Sequence, residues 1–158
     1  MFQLIALIPM VDLGDRVRQL PIREVAATVL EHQGPDEPLA MVGVMKPSLH
    51  FYTDQVVVYE GTSKNAFINV ADRFSKEKRK GWQGFPTSKK GGSQTAIIVI
   101  DSLTMKKKHW KGHNPEPLGL FGIYQVLRFD RRELDKRALK LHSRGAHSTW
   151  ERPRAERY

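Results

Sequence analysis

Three charged side chains each follow an apolar run that reads as a β-strand. Lys46 comes after PLAMVGV, Glu60 closes QVVVY and Asp101 closes TAIIVI. Open α/β sheets place ligands beyond the carboxyl ends of their parallel strands, so these three are candidate binding positions. Nothing in the sequence pairs Glu60 with Asp101 as acid and base, and both residue types also begin turns and cap helices. His109 and His113 stand four apart in HWKGH, which suits two metal ligands on one helix face. No carboxylate or third histidine lies nearby in sequence, and Gly112 weakens a helix there. The pair reads as solvated histidines, and no metal or cofactor is assigned. SKKGGSQ has the composition of a phosphate loop but the wrong order: its lysines precede its glycines and a strand follows. It reads as a surface loop.

The chain has 158 residues, no cysteine and a formal net charge of +9. That length suits one compact domain, and the missing cysteines exclude disulfides and thiolate chemistry. Residues 1–75 hold 6 Lys/Arg and 9 Asp/Glu, whereas residues 76–158 hold 20 and 8. A basic half points to a polyanion: nucleic acid, anionic lipid head groups or a phosphate-bearing substrate. Basic residues alternate with aromatics in KKKHWKG and GWQGF, a mixture that binds single-stranded nucleic acid by stacking and phosphate contact. These residues fall in three separate segments, at 76–80, 106–111 and 128–157, as they would on a solvated basic face. A nucleic-acid-binding module is therefore kept as an alternative, and a small nucleotide- or phosphate-using enzyme as a weaker one.

The elements that would position these residues follow from periodicity. LPIREVAATVLEHQG places Ile22, Val25, Ala26 and Val29 on one helical face, with Pro21 at its start and Gly34-Pro35 at its end. PLAMVGV reads as a buried strand, KPSLHFY as one helical turn begun by Pro47, and QVVVYEG as a strand. Thr62 or Ser63 can cap KNAFINVADRFSKEKRKG, whose buried face is Phe67, Val70, Ala71 and Phe74. GWQGFPTSKKGGSQ reads as a loop and TAIIVID as the strongest strand. LGLFGIYQVLRFD is expected to be one long strand, half-exposed or at an edge, with Ile123, Leu127 and Phe129 on one side. Asp130 and Glu133 begin a last helix with Leu134, Ala138 and Leu141 inward. Strands alternating with helices predict an α/β fold: a small three-layer, mainly parallel sheet of about four strands flanked by helices, its last strand open to antiparallel edge pairing. The expected division is an apolar segment 1–13, one α/β domain 14–146 and a polar basic tail 147–158, in which Trp150 alone would dock.

The order of motifs adds a resemblance. EPLAMVGVMKPSLHFYTDQVVVYEG, NVADRF, AIIVID and GIYQVLRFDRREL together resemble the C-terminal soluble region of polyprenyl-phosphate-sugar-dependent membrane glycosyltransferases. That family includes enzymes like dolichyl-phosphate-mannose–protein mannosyltransferase and 4-amino-4-deoxy-L-arabinose lipid A transferase. Pro47, Ser48, Leu49, Phe51, Tyr52, Thr53 and Val57 match a pattern like PSL-x-FYT-x-x-x-V, and the resemblance covers about residues 20–158. It implies that MFQLIALIPMVDL is the end of a membrane helix and LGDRVRQLPIR the exit into an extracytoplasmic, membrane-associated domain. It also implies a lipid-phosphate sugar donor used by the full-length enzyme, and as partners the membrane-embedded part of that enzyme or anionic lipid head groups. No position matches the family's acidic catalytic motif, so no catalytic residue is carried over, and the chain reads as a fragment or accessory domain. PSLHFYT is expected to be a packing turn, with Leu49 and Phe51 or Tyr52 against the sheet and His50 outward. Should it instead form a site, Lys46, His50 and Tyr52 would be the residues to meet a sugar or phosphate.

Overall fold

The computed structural model describes residues 19–80 and 93–149, with the backbone alone for 76–80. The apolar segment 1–13, the exit segment to residue 18, the loop 81–92, the lysine- and arginine-rich side chains of 76–80, and Trp150 with the following tail lie outside the described residues. Helix α1 covers residues 19–32. It is followed by β1 (Leu39–Val42), α2 (Ser48–Thr53), β2 (Val57–Glu60), α3 (Lys64–Lys80), β3 (Thr95–Asp101), α4 (Ser102–Met105), β4 (Glu116–Phe121), β5 (Tyr124–Asp130) and α5 (Arg131–His142).

The five strands form one sheet in the order β2-β1-β3-β5-β4. β1 pairs in parallel with both β2 and β3, while β5 runs antiparallel to both β3 and β4. Side chains alternate across a strand, and here the alternation divides the core into two layers. Ile97 and Val99 of β3 pack with Ile22, Val25, Ala26 and Val29 of α1. Ala96, Ile98 and Ile100 pack on the other face with Phe67, Val70, Ala71 and Phe74 of α3 and with Leu134, Ala138 and Leu141 of α5. A strand buried on both faces cannot show polar alternation, which is why β3 is a continuous apolar run.

The expected α/β sheet with flanking helices is present, with one more strand than expected. LGLFGIYQVLRFD extends upstream to Glu116 and is a hairpin, not a single strand. Phe121 pairs with Tyr124 across a two-residue turn, and Gly122 takes φ +60. A positive φ at the first turn position is what glycine supplies in a II′ hairpin. β5 is consequently interior, with Tyr124 and Val126 buried on one face and Leu127 and Phe129 on the other. Ile123 lies in the turn and faces solvent, not the core. The edge on this side is β4, which carries Pro117 and a register shift between Pro117 and Gly119. The short link from Val44 to Gln55 does support a parallel crossover, because α2 carries the chain back across the sheet to set Leu39 opposite Val57.

Candidate functional site at the carboxyl end of the sheet

Val42 is paired with Glu60 on one side and Ile100 on the other, so Glu60, and one residue further Gly43 and Asp101, stand where the three parallel strands end. Asp101 is buried, and both of its oxygens are engaged. Oδ1 accepts the Leu103 and Thr104 backbone N–H groups at 3.1 and 2.9 Å, which caps α4. Oδ2 accepts the Val44 N–H at 3.1 Å and the Thr104 hydroxyl at 2.7 Å. Burial alone would raise its pKa, but the bonds from Thr104, Val44 and Leu103 outweigh it and hold the carboxyl below its usual range. Asp101 is thus an ionised latch between β3, α4 and the segment after β1.

Glu60 is also buried and engaged. Its carboxylate accepts from Asn69 Nδ2 at 3.0 Å and pairs with Arg73 at 3.5 Å. Asn69 Oδ1 accepts the Thr149 N–H at 2.7 Å, so the network ties β2 to α3 and to the segment after α5. Glu60 and Asp101 lie on either side of β1 with separate partners, and neither is poised against the other as acid and base.

The backbone at Lys46 and His50 is tied together by Tyr59, a residue that motif reading missed, while Tyr52 bonds Arg23 instead. The Tyr59 hydroxyl accepts the His50 N–H at 3.2 Å and lies within donating distance of the Pro47 and Lys46 carbonyls, at 3.2 and 3.3 Å. Burial raises the Tyr59 pKa against the opposing effect of the His50 bond, so the phenol stays protonated and able to donate. His50 Nδ1 donates to the Gln55 carbonyl at 2.6 Å, and the Tyr52 hydroxyl accepts from Arg23 Nε at 3.3 Å. The Arg23 guanidinium also sits 5.6 Å from the Tyr52 ring centroid. Within PSLHFYT, Pro47 is the N-cap, Leu49 is fully buried, and Thr53 returns its hydroxyl to the Leu49 carbonyl at 2.8 Å. Asp54 ends the helix at φ 49. Leu49 and half-buried Tyr52 fit the expected packing turn, whereas Phe51 points to solvent. A strand tyrosine clamping the turn could have been noticed only by pairing Tyr59 with a loop thirteen residues earlier.

Two further clusters complete the electrostatics. At the opposite end of the sheet, buried Glu37 accepts from Arg128 Nε at 2.9 Å, the Thr95 hydroxyl at 2.6 Å and the Gly34 N–H at 2.9 Å. Arg128 also bonds the His32 carbonyl at the end of α1. His109 and His113 are not the solvated pair expected from sequence. Both are buried with Trp110 around Phe67, with His113 stacked on that ring at 5.7 Å. Burial holds both imidazoles below their usual pKa, with Lys107 and Lys64 adding to the effect at His109 and Arg137 at His113. The segment after α4 folds inward because Trp110 fills the gap between Phe67 and Phe129. Among the described residues, no group of three His, Asp or Glu side chains could hold a metal ion.

A family model described as the cyanobacterial RgtA-type glycosyltransferase, C-terminal domain, matches residues 32–145. No curated protein and no solved structure matches.

Proposed function

The chain belongs to this family of glycosyltransferase C-terminal domains, and from that premise we propose that it is an accessory domain without catalysis of its own in a membrane glycosyltransferase. The full enzyme takes its sugar from a lipid-phosphate donor, and this domain sits on the extracytoplasmic side of the membrane. Long domains translocate largely irrespective of charge, so the net +9 is compatible with that side. Among the described residues no helix is long and apolar enough to cross a membrane.

The observation that carries the reading is the state of the carboxylates at the strand ends. Asp101 spends both oxygens on capping α4 and fixing Val44, and Glu60 spends its own on Asn69 and Arg73. A general acid or nucleophile for glycosyl transfer needs a carboxyl free to meet substrate. Lys46, His50 and Tyr52, with Tyr59 behind them, remain the positions at which a sugar or phosphate group would touch this domain.

The test is glycosyl transfer by the purified chain with a polyprenyl-phosphate sugar. No turnover is expected, and turnover by the purified chain would overturn the reading. Nothing favours the nucleic-acid alternative over this one. It would require binding to single strands that weakens steeply with salt, and a gel shift at two salt concentrations decides it.

A further inference from the structure

Four large apolar side chains are exposed at one end of the molecule: Leu20 at 55%, Val44 at 46%, Leu103 at 76% and Ile123 at 52%. They come from four distant parts of the sequence; hydrogen bonds gather three of them, and the approach of Pro21 to Gly122 brings in Leu20. The Val44 and Leu103 N–H groups share the Asp101 carboxylate, each at 3.1 Å. The Ser102 N–H donates to the Ile123 carbonyl at 3.1 Å. Beside Ile123, Gly122 lies against Pro21, whose Cγ is 3.9 Å from where a residue-122 Cβ would stand, and Leu20 precedes Pro21. Lysines accompany this rim: Lys46 two residues after Val44, and exposed Lys106 one helical turn after Leu103.

The same end receives the chain. α1 begins at the rim, beside the β4–β5 turn, and finishes at the far end, where Arg128 bonds the His32 carbonyl. Residues 14–18 alone separate α1 from the apolar sequence MFQLIALIPMVDL. Leu139, on α5, lies on the sheet face opposite α1.

We propose that this rim docks on the head-group layer of an anionic phospholipid bilayer, with Leu20, Val44, Leu103 and Ile123 entering the interface and Lys46 and Lys106 meeting lipid phosphates. The inference rests on the reading of the chain as part of a membrane enzyme, and names the end of the domain that faces the membrane. Apolar side chains flanked by two lysines suit that layer, where hydrocarbon and negative charge lie within a few ångströms of each other.

The chain has no cysteine, so single-cysteine labelling needs no background removal. Leu103→Cys, Ile123→Cys and, as control, Leu139→Cys are labelled with an environment-sensitive fluorophore and mixed with vesicles of phosphatidylglycerol and phosphatidylcholine. All three positions are exposed, and thermal melts verify that each variant folds. Labels at 103 and 123 are expected to brighten severalfold and to be quenched by brominated acyl chains, while the label at 139 stays unchanged. Lys46→Ala and Lys106→Ala should each weaken vesicle binding by up to about fivefold. Silent rim labels on bound protein, or an equal response at 139, overturn the proposal. So does a response that appears only in membranes containing another subunit of the enzyme, which would make protein the occupant. None of these results depends on glycosyl transfer, so this proposal and the functional reading can fail separately.

Discussion

Gly43 and Asp101 compete for one space: a Cβ on residue 43 would stand 1.8 Å from Asp101 Oδ2 and 2.6 Å from Thr104 Oγ1. Gly43 also has φ +92, a conformation that L side chains rarely adopt. Gly43→Ala must therefore strain the backbone and push the carboxylate off the Val44 N–H. We expect a loss of at least about 3 kcal/mol in urea unfolding. Asp101→Asn keeps the shape and loses an acceptor, and should cost about 2 kcal/mol. A Gly43→Ala variant as stable as the parent would refute the latch.

Tyr59 and Tyr52 should separate in mutagenesis. Removing the Tyr59 hydroxyl takes a donor from the Lys46 and Pro47 carbonyls and leaves the His50 N–H to the Pro47 carbonyl alone, so Tyr59→Phe is expected to cost about 1 kcal/mol. Tyr52 bonds an exposed arginine, and Tyr52→Phe should stay within about 0.5 kcal/mol of the parent. Paired denaturation curves check the difference, and a contact of Tyr52 with substrate would appear only in the full enzyme.

Removing one partner of the Glu37–Arg128 pair should be worse than removing both. Arg128→Met leaves a carboxylate whose side chain is almost wholly buried facing only neutral donors, for an expected loss of about 3 kcal/mol. Glu37→Gln in that background should restore part of it, since the uncompensated charge is gone. A double-mutant cycle on unfolding midpoints measures the coupling, and strict additivity would contradict it.

Stability should decline on acidification below the ordinary histidine range. Unfolded, His109 and His113 titrate near 6.5, whereas burial lowers both in the fold. Above 6.5 neither state takes up these protons, so they contribute no pH dependence. As the pH falls through that value, the unfolded chain binds protons that the native core refuses, and stability drops until the folded values are passed. Asp101 adds a second loss in the same direction below 3.8, because its native pKa is also depressed. Urea midpoints between pH 7.5 and 4.5 should show the first slope, and His109→Phe with His113→Phe should flatten it whatever they do to absolute stability.

The helices and the parallel strands were readable because each carries a long, one-sided or wholly apolar pattern. Ile22, Val25, Ala26 and Val29, and then Phe67, Val70, Ala71 and Phe74, are the buried faces that their spacing predicts. The hairpin was not readable as a hairpin because Gly122 interrupts an apolar run without any polar residue to announce a turn. Asp101, Glu60 and Lys46 were correctly placed near strand ends, but periodicity says nothing about partners. That Asp101 meets Val44 across 57 positions is a tertiary fact. His109 and His113 were misjudged for a related reason: their neighbours in sequence are lysines, while their neighbours in space are Phe67, Trp110 and Phe129.

One border of the sheet is β4, where Pro117 has no amide hydrogen and the register slips before Gly119. An incoming strand would find a missing donor and then a kink, so it could not extend a hydrogen-bonded ladder along this border. Molecules of this domain crowded side by side would thus resist zippering into a continuous cross-β stack.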